Sequence, residues 1–161
     1  MNAIYYGVYT GHGPLSWYIR AFTWSSRSHA AAFRPPNDSG EFGNVIEAWR
    51  GGVCERHWTK GHRRGTIIDV YRVRCSDRQA EKFYIEMAMK KGKKYDFLGI
   101  ASFGLRMNIG RNDRWFCSEA VFDSALRAGI VLLAGVPAYK VFPGMLDMVP
   151  SAELATRLVV Q

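Results

Sequence analysis

The sequence predicts an α+β fold in which helices pack on a mostly antiparallel sheet. Segments rich in β-branched and aromatic residues are bounded by glycine and proline turns, which is typical of strands. Other segments have apolar residues at helical spacing. Most of the strands precede the two longest helices instead of alternating with them, and this order favours α+β over a parallel α/β sheet.

The first third of the chain predicts a strand, a short helix and a second strand. NAIYYGVYT (2–10) is aromatic and β-branched and ends at the GHGP turn. PLSWYIRAFT (14–23) predicts a helix, because proline is favoured at a helix start. SHAAAF (28–33) predicts a strand that the breaker cluster RPPNDSG closes. In the helix, one side is predicted to be apolar: Trp17, Tyr18, Ala21 and Phe22.

Two further strands are predicted before the first long helix. NVIEAWRGGV (44–53) is interpreted as one strand. GTIIDVYRVRC (65–75) has the clearest alternation in the chain, with Ile67 and Asp69 facing one way and Ile68 and Val70 the other.

Two amphipathic helices follow. DRQAEKFYIEMAMKK (77–91) has Asp77 as its expected N-cap and basic residues in its last turn, before Gly92. A second helix is predicted from Cys117 to Ala128, with Gly129 after its end. The remaining tail is punctuated by prolines. The apolar stripe of the first helix is expected to comprise Ala80, Phe83, Tyr84, Met87 and Ala88.

Length and composition predict one domain over residues 1–161. The chain has 161 residues, of which 48% are apolar, and it has no internal repeat or low-complexity linker. No apolar run is long enough for a membrane span, and the N-terminus lacks the pattern of a signal peptide, so we expect a cytoplasmic protein. Three cysteines without a dense pattern argue against a disulfide framework.

The net charge of +8 raises the question of an anionic partner. The basic residues concentrate in RHWTKGHRRG (56–65) and KKGKK (90–94), which are interpreted either as solvated loops or as a surface for an anionic polymer or a membrane. No zinc-finger, RNP or helix-turn-helix motif supports sequence-specific binding of nucleic acid.

Cys117 stands at the start of the second long helix, in RWFCSEAVFDSALRA. The free N–H groups and the dipole of a helix N-terminus stabilise a thiolate, so the position suits a nucleophile. It also suits a buried small residue, because free cysteine is among the most buried residue types. The helix alone leaves both interpretations open.

A histidine and a glutamate on two neighbouring predicted strands favour the nucleophile. His29 lies among small residues in RSHAAAF, and Glu47 lies between apolar residues in NVIEAW. A carboxylate inside an apolar strand is costly without a partner. If the two strands pair, Glu47 can orient His29, as the third member of a triad orients its base.

These motifs carry a resemblance to a known family. TWSSRSHAAAF, VIEAWRGGV, KKYDFLG and WFCSEAVFDSAL occur in the order found in the circularly permuted branch of NlpC-type papain-like cysteine hydrolases. Members of this branch are relatives of cell-wall endopeptidases and of the lecithin:retinol acyltransferase group. The resemblance covers roughly residues 14–150. It implies a papain-like sheet or small barrel with the histidine strand first and the cysteine helix last.

The resemblance also implies an activity. Cys117 matches the nucleophile, His29 the base and Glu47 the residue that orients the base. The implied reaction is cleavage of an amide or ester through a thioester, as in a thiol protease, amidase or acyltransferase, and it needs no cofactor. A peptide, a cell-wall fragment or an acylated molecule would be the substrate.

Further residues are assigned by the resemblance and by papain-like analogy. The N–H of Cys117 is expected to donate to an oxyanion, and Tyr5 and Tyr6 are candidates either for residues near the site or for aromatic residues of the core. Tyr95 and Asp96 are expected to shape the substrate groove or a turn.

Two alternatives remain at the level of sequence. The first is a catalytically silent papain-like module that holds an anionic partner through its basic loops. The second is a zinc site, for which the spacing fits no common module. His12, in a glycine-flanked loop, is a weaker candidate base than His29. The potential zinc ligands are Cys54, His57, His62 and Cys75.

Overall fold

A computed structural model describes residues 2–49, 51–96 and 114–161. Its strands are β1 (Ala3–Thr10), β2 (His29–Phe33), β3 (Asn44–Trp49), β4 (Gly52–His57), β5 (Ile67–Arg74), β6 (Lys94–Tyr95), β7 (Arg114–Trp115) and β8 (Ala152–Val159). Its helices are α1 (Pro14–Thr23), α2 (Asp77–Met89) and α3 (Cys117–Arg127), followed by two 3₁₀ helices, Ala138–Lys140 and Pro143–Met148.

Six of these strands form one open antiparallel sheet in the order β4-β3-β2-β1-β5-β8. The short strands β6 and β7 pair with each other in parallel. The predicted α+β class is confirmed, and the sheet is not a closed barrel. The predicted strands at 2–10, 28–33 and 65–75 correspond to β1, β2 and β5.

The sheet buries both of its faces. Helices α2 and α3 cover one face, and alternate residues of the central strands, such as Ile4, Val8 and Ile46, form the main core there. The residues between them form a second, smaller cluster on the opposite face, which includes Tyr9, Phe33 and Ile68. Side chains alternate between the faces of a sheet, so neighbouring residues of one strand enter different environments.

Several predicted boundaries are wrong. The segment 44–53 is a hairpin of β3 and β4, because the chain turns between Trp49 and Gly52, and Gly52 has a φ of 108° that favours glycine. Strand β8 was not predicted in the proline-punctuated tail. The N-cap of α2 is Ser76, whose hydroxyl accepts from the N–H of Gln79, and not Asp77.

Helix α1 forms where predicted but buries a different side. Ile19 is its buried residue, whereas Trp17 is 70% exposed and Phe22 is 47% exposed. Of the predicted apolar side, Trp17, Ala21 and Phe22 therefore face outward, whereas Tyr18 packs against the core. Trp24, which ends the helix in a left-handed conformation with a φ of 51°, is 96% exposed.

Asp69 ties the C-terminal strand and the segment after α1 to the sheet. This buried carboxylate accepts from Arg157 of β8 at 2.6 Å and from Arg27 at 2.5 Å. Arg27 also donates to Asp147 in the second 3₁₀ helix. A buried carboxylate is stable only when it is paired and hydrogen-bonded, which accounts for an aspartate inside strand β5.

Residues 97–99 of the KKYDFLG motif lie outside the described residues, whereas Tyr95 and Asp96 are buried. In the described part of the chain, no helix has the length and apolar character that crossing a membrane requires.

Candidate functional site

The structure brings His29 and Glu47 together. His29 is the first residue of β2, Glu47 lies on the adjacent strand β3, and each residue is at most 2% exposed. The His29 Nε2–H donates a short hydrogen bond to Glu47 Oε2. Glu47 thus has the partner that a carboxylate in an apolar strand requires.

Glu47 is held by two more side chains, which the sequence did not reveal. Its Oε1 accepts from Arg56 Nε at 2.5 Å, and its Oε2 lies 3.3 Å from His62 Nε2. Burial by itself raises the pKa of the Glu47 carboxyl, but the contacts with His29 and His62 outweigh it and hold the pKa well below its usual range. Glu47 is therefore ionised at neutral pH.

Gly61 explains how His62 reaches this buried position. The glycine has a φ of 76°, in the region that disfavours side chains. A Cβ at this position would also lie 2.4 Å from Arg56 Nη1. The close approach lets the loop after β4 fold over the guanidinium and turn His62 inward, where its side chain is 4% exposed.

Cys117 begins helix α3 and is 2% exposed. The backbone N–H groups of Ala30 and Ser118 lie near its sulfur and act to lower the pKa of the thiol. Because Ala30 follows His29 in β2, the helix start lies against the strand that carries the histidine. Burial raises the pKa of the Cys117 thiol to about 12, even though these N–H groups lower it. The resting thiol is protonated.

His29 is neutral in the same state. Burial lowers the pKa of its imidazole, and the neighbouring Glu47 offsets only part of this effect. The Nδ1 atom is buried and has no hydrogen-bond partner among the described residues. Since Nε2 donates to Glu47, Nδ1 is the basic nitrogen of the ring.

Tyr9 is the tyrosine next to the site, in place of the predicted Tyr5 and Tyr6. The Tyr6 hydroxyl donates to the carbonyl of Leu146 at 2.8 Å, and Tyr5 packs against Phe42. The ring of Tyr9 lies 4.9 Å from that of His29 and 4.6 Å from that of His62, measured between centroids. Its hydroxyl is buried and unpartnered within the described part of the chain.

The residues after Cys117 hold the helix start in place. The Ser118 hydroxyl donates to the carbonyl of Val141 at 2.6 Å, and Glu119 accepts from the N–H of Phe116 at 3.5 Å. Burial raises the pKa of Glu119 to about 7, and Asp96 and Asp123 add to the effect. The Ser118–Glu119 part of the predicted motif thus makes structural contacts, and Asp96 contributes charge beside Glu119.

A cavity of about 190 Å³ adjoins the site. Its wall includes Trp49 and His62, and the Trp49 ring lies 4.6 Å from the His29 ring. The start of α1 and the loop before β5 complete the wall, which also contains His12. His12 therefore lines the approach to the site and does not join the cluster around Glu47.

The four potential zinc ligands named from the sequence do not converge. Among the described residues, the group of metal-binding side chains is His29, Glu47 and His62. His62 thus belongs with the candidate triad instead of with Cys54 and Cys75, which are half-buried free thiols. His57 is exposed, and its ring contacts the hydroxyl of Thr59.

Comparison with known proteins shows a likeness in fold. No model of a known protein family matches the chain, and no curated protein matches it. A solved structure described as metalloprotein YiiX from Escherichia coli O157:H7, DUF1105, superimposes with a TM-score of 0.70. The match covers 98% of each chain at 18% sequence identity.

This finding corrects the family resemblance drawn from the motifs. The full-length match is to a YiiX-type fold, and not to a circularly permuted NlpC-type hydrolase or a relative of lecithin:retinol acyltransferase. The motifs misled because each is short, and short motifs often match by chance. At 18% identity the likeness establishes the fold and leaves the activity to the site.

Proposed function

We propose that the chain is a cysteine-dependent hydrolase or acyltransferase that cleaves an amide or ester bond. The observation that carries this proposal is the buried His29–Glu47 pair on strands against which the helix begun by Cys117 packs, with the thiol near the backbone of Ala30. In the proposed mechanism Cys117 is the nucleophile, His29 is the general base and Glu47 orients His29. A peptide, isopeptide, cell-wall fragment or acyl ester would be the substrate.

The neutral thiol of Cys117 and the neutral imidazole of His29 support general-base catalysis. As the Cys117 sulfur attacks the carbonyl carbon, His29 Nδ1 takes the thiol proton, and the imidazolium is stabilised by Glu47. The oxyanion of the tetrahedral intermediate is stabilised by backbone N–H groups at the start of α3. We include the Tyr9 hydroxyl as the second donor, because it is buried beside His29 without a partner among the described residues.

The intermediate then collapses to a thioester. The bond to the amine or alcohol breaks, and the leaving group takes the proton from His29 Nδ1. In hydrolysis, His29 next removes a proton from water, the hydroxide attacks the thioester, and the thiol of Cys117 is released as the acid departs. In acyl transfer, an acceptor amine or alcohol replaces the water.

Trapping of the acyl group tests the proposal. A Cys54→Ser/Cys75→Ser protein, in which Cys117 is the remaining cysteine, is incubated with p-nitrophenyl acetate, p-nitrophenyl octanoate, peptide anilides and muropeptides. Mass spectrometry of the peptide that contains Cys117 is expected to show an acyl adduct that decays with time. The proposal fails if the folded protein forms no adduct with any of these donors.

Histidine variants provide the control. His29→Ala and His29→Gln are expected to lower the rate of adduct formation by at least about a hundredfold, which is the usual contribution of a general base. His57→Ala, which changes an exposed histidine outside the site, is expected to keep the rate. Equal adduct formation in the His29 variants and the parent protein would contradict the role of His29.

A second candidate function is binding to an anionic membrane surface. Trp17 in α1 and Trp24, which follows the helix, are both strongly exposed. The basic residues Lys60, Arg63 and Arg64 form no ion pair with described residues and lie in the loop that shares a cavity wall with the start of α1. Exposed indoles partition to the membrane interface, and basic residues attract anionic head groups.

Vesicle sedimentation tests this second candidate. The protein is expected to bind vesicles that contain phosphatidylglycerol and to be released by salt. Trp17→Ser/Trp24→Ser should weaken binding, whereas Met89→Ser, which changes a residue 69% exposed on α2, should not. Equal binding to neutral phosphatidylcholine vesicles, or full binding by the double variant, would exclude an anionic membrane anchor.

A further inference from the structure

We propose that His29, Glu47 and His62 form a zinc site, and that bound Zn²⁺ inhibits the proposed hydrolase. The ligand atoms of the three residues all lie within 4.8 Å of one another. Two imidazoles and a carboxylate, with a fourth position for water, are a donor set that Zn²⁺ accepts readily. The binding of zinc stands by itself, and only the inhibition rests on the proposed function.

The spacing of the ligands fits a tetrahedral ion. With bonds of about 2.0–2.1 Å from zinc to nitrogen or oxygen, tetrahedral ligands lie about 3.3 Å apart. The distance between Glu47 Oε2 and His62 Nε2 is 3.3 Å. His29 Nε2 lies closer than this to the same oxygen, so its hydrogen bond to Glu47 opens when the ion enters.

The surroundings hold the carboxylate in position for a metal. Glu47 directs Oε2 to both imidazoles, while Oε1 is held by Arg56 Nε. Second-shell hydrogen bonds of this kind orient the ligands of metal sites. The rings of Tyr9 and Trp49 pack against His62, with centroids 4.6 Å and 5.1 Å away. They restrict its rotation, so the site is largely formed before the ion binds.

Zinc binding has a chemical consequence for the base. In the free protein, His29 Nε2 is hydrogen-bonded to Glu47, and Nδ1 has no hydrogen-bond partner among the described residues. A metal bond to Nε2 moves the ring proton to Nδ1, with no net gain or loss of protons. An imidazole with a proton on Nδ1 cannot accept the proton of Cys117, so the zinc-bound protein loses its general base.

Calorimetry tests the binding separately from activity. Zn²⁺ is titrated into metal-free protein in the Cys54→Ser/Cys75→Ser background, and one ion per chain is expected. A His62→Gln variant should bind at least about tenfold more weakly, whereas His57→Gln and Cys117→Ser should bind as the parent does. Full affinity in His62→Gln, or loss of binding in Cys117→Ser, would overturn the site.

X-ray absorption at the zinc edge gives a readout on the parent protein that does not depend on how any variant folds. Scattering from nitrogen and oxygen at about 2.0–2.1 Å is expected, and a sulfur shell at about 2.3 Å would overturn the ligand set. Acylation of Cys117 is then compared with and without one equivalent of zinc. If the adduct forms equally fast with bound zinc, the proposed inhibition is wrong. If the protein binds stoichiometric zinc but never forms an adduct, the proposed hydrolase is wrong and the zinc site stands.

Discussion

The sulfur of Cys117 lies near the backbone N–H of Ala30, the residue that follows His29 in strand β2, and this N–H acts to lower the pKa of the thiol. This contact joins the first turn of helix α3 to the strand whose histidine pairs with Glu47. It also keeps the sulfur in a buried position, in which a thiol is favoured over a thiolate. The protonation state of the site follows from this packing.

The rate of alkylation of Cys117 should depend steeply on pH. Because the pKa of the thiol is raised to about 12, the thiolate fraction increases about tenfold per pH unit between pH 7 and 10. Iodoacetamide labelling in the Cys54→Ser/Cys75→Ser background, followed by mass spectrometry, should show this slope without a plateau. A rate that stays constant from pH 5 to 8 would instead indicate a thiolate–imidazolium pair in the resting protein.

Removal of the Glu47 carboxylate should destabilise the fold. Glu47→Ala leaves the charge of Arg56 without its buried partner, and breaking a buried ion pair costs about 3–5 kcal/mol. Since the side chain of Arg56 is 24% exposed and can contact water, we expect the lower end of this range. Urea unfolding measures the change in the free energy of unfolding.

Glu55 on the neighbouring strand β4 provides the matched control for Glu47. It pairs with Arg34 and Lys91, which are more exposed, so Glu55→Ala should cost about 1 kcal/mol or less. If the free energy of unfolding falls equally in the two alanine variants, the buried Glu47–Arg56 pair contributes no more to stability than the exposed pairs of Glu55.

Tyr9→Phe should separate catalysis from stability. The Tyr9 hydroxyl is buried without a hydrogen-bond partner in the described part of the chain, so its removal should change the free energy of unfolding by less than about 1 kcal/mol. If the hydroxyl donates to the oxyanion, acylation of Cys117 should slow by roughly a hundredfold, as after loss of one oxyanion donor. An unchanged acylation rate would remove Tyr9 from the mechanism.

Tyr6→Phe is the converse control, because Tyr6 has a structural hydrogen bond. Its hydroxyl donates to the carbonyl of Leu146 on the helix-covered face of the sheet. Loss of this bond leaves a buried carbonyl unsatisfied, which costs about 1–3 kcal/mol. The acylation rate of the folded fraction should remain that of the parent.

Glu119→Gln should make the protein less sensitive to alkaline pH. The pKa of Glu119 is raised from its ordinary value to about 7 in the folded protein, chiefly by burial. A raised pKa means that the contribution of this group to stability is complete below about pH 4.5 and is lost as the pH rises through 7. The glutamine variant should therefore gain on the order of 1–3 kcal/mol relative to the parent at pH 8, and little at pH 4.5.

Urea unfolding of both proteins at these two pH values measures the difference for Glu119. Asp123→Asn in the same helix is a comparison, because Asp123 is paired with Lys90 and Arg127. A parent and a Glu119→Gln variant that differ equally at both pH values would show that the Glu119 carboxyl does not titrate near neutrality.

Strong local patterns accounted for most of the fold. The alternation in 65–75 and the apolar stripe of 77–91 predicted β5 and α2, because a packed face repeats every second residue in a strand and about every 3.6 in a helix. Segments with weak alternation of apolar and polar residues were predicted wrongly. The hairpin of β3 and β4 was interpreted as one strand, and β8 in AELATRLV was missed, since this edge strand has few buried residues to mark it.

Local sequence patterns also predicted only part of the candidate site. His29 and Glu47 stood out because polar residues inside apolar strands require partners, and Cys117 stood out because it begins a helix. His62 and Arg56 were not recognised, since a turn at Gly61 and the pairing of β4 with β3 bring them to Glu47. Short-range spacing carries no information about such contacts.

The amino-acid sequence alone thus determined the α+β class, and it named Cys117, His29 and Glu47 as candidates for acyl chemistry, because the local order of apolar and polar side chains indicates both. Packing of distant segments determined the rest: which side of α1 faces outward, how His62 joins the His29–Glu47 pair, and that Cys117 is a thiol and His29 neutral at rest. Burial and electrostatic contact depend on residues far apart in the chain, and they govern both the free energy of a charge and the availability of a side chain.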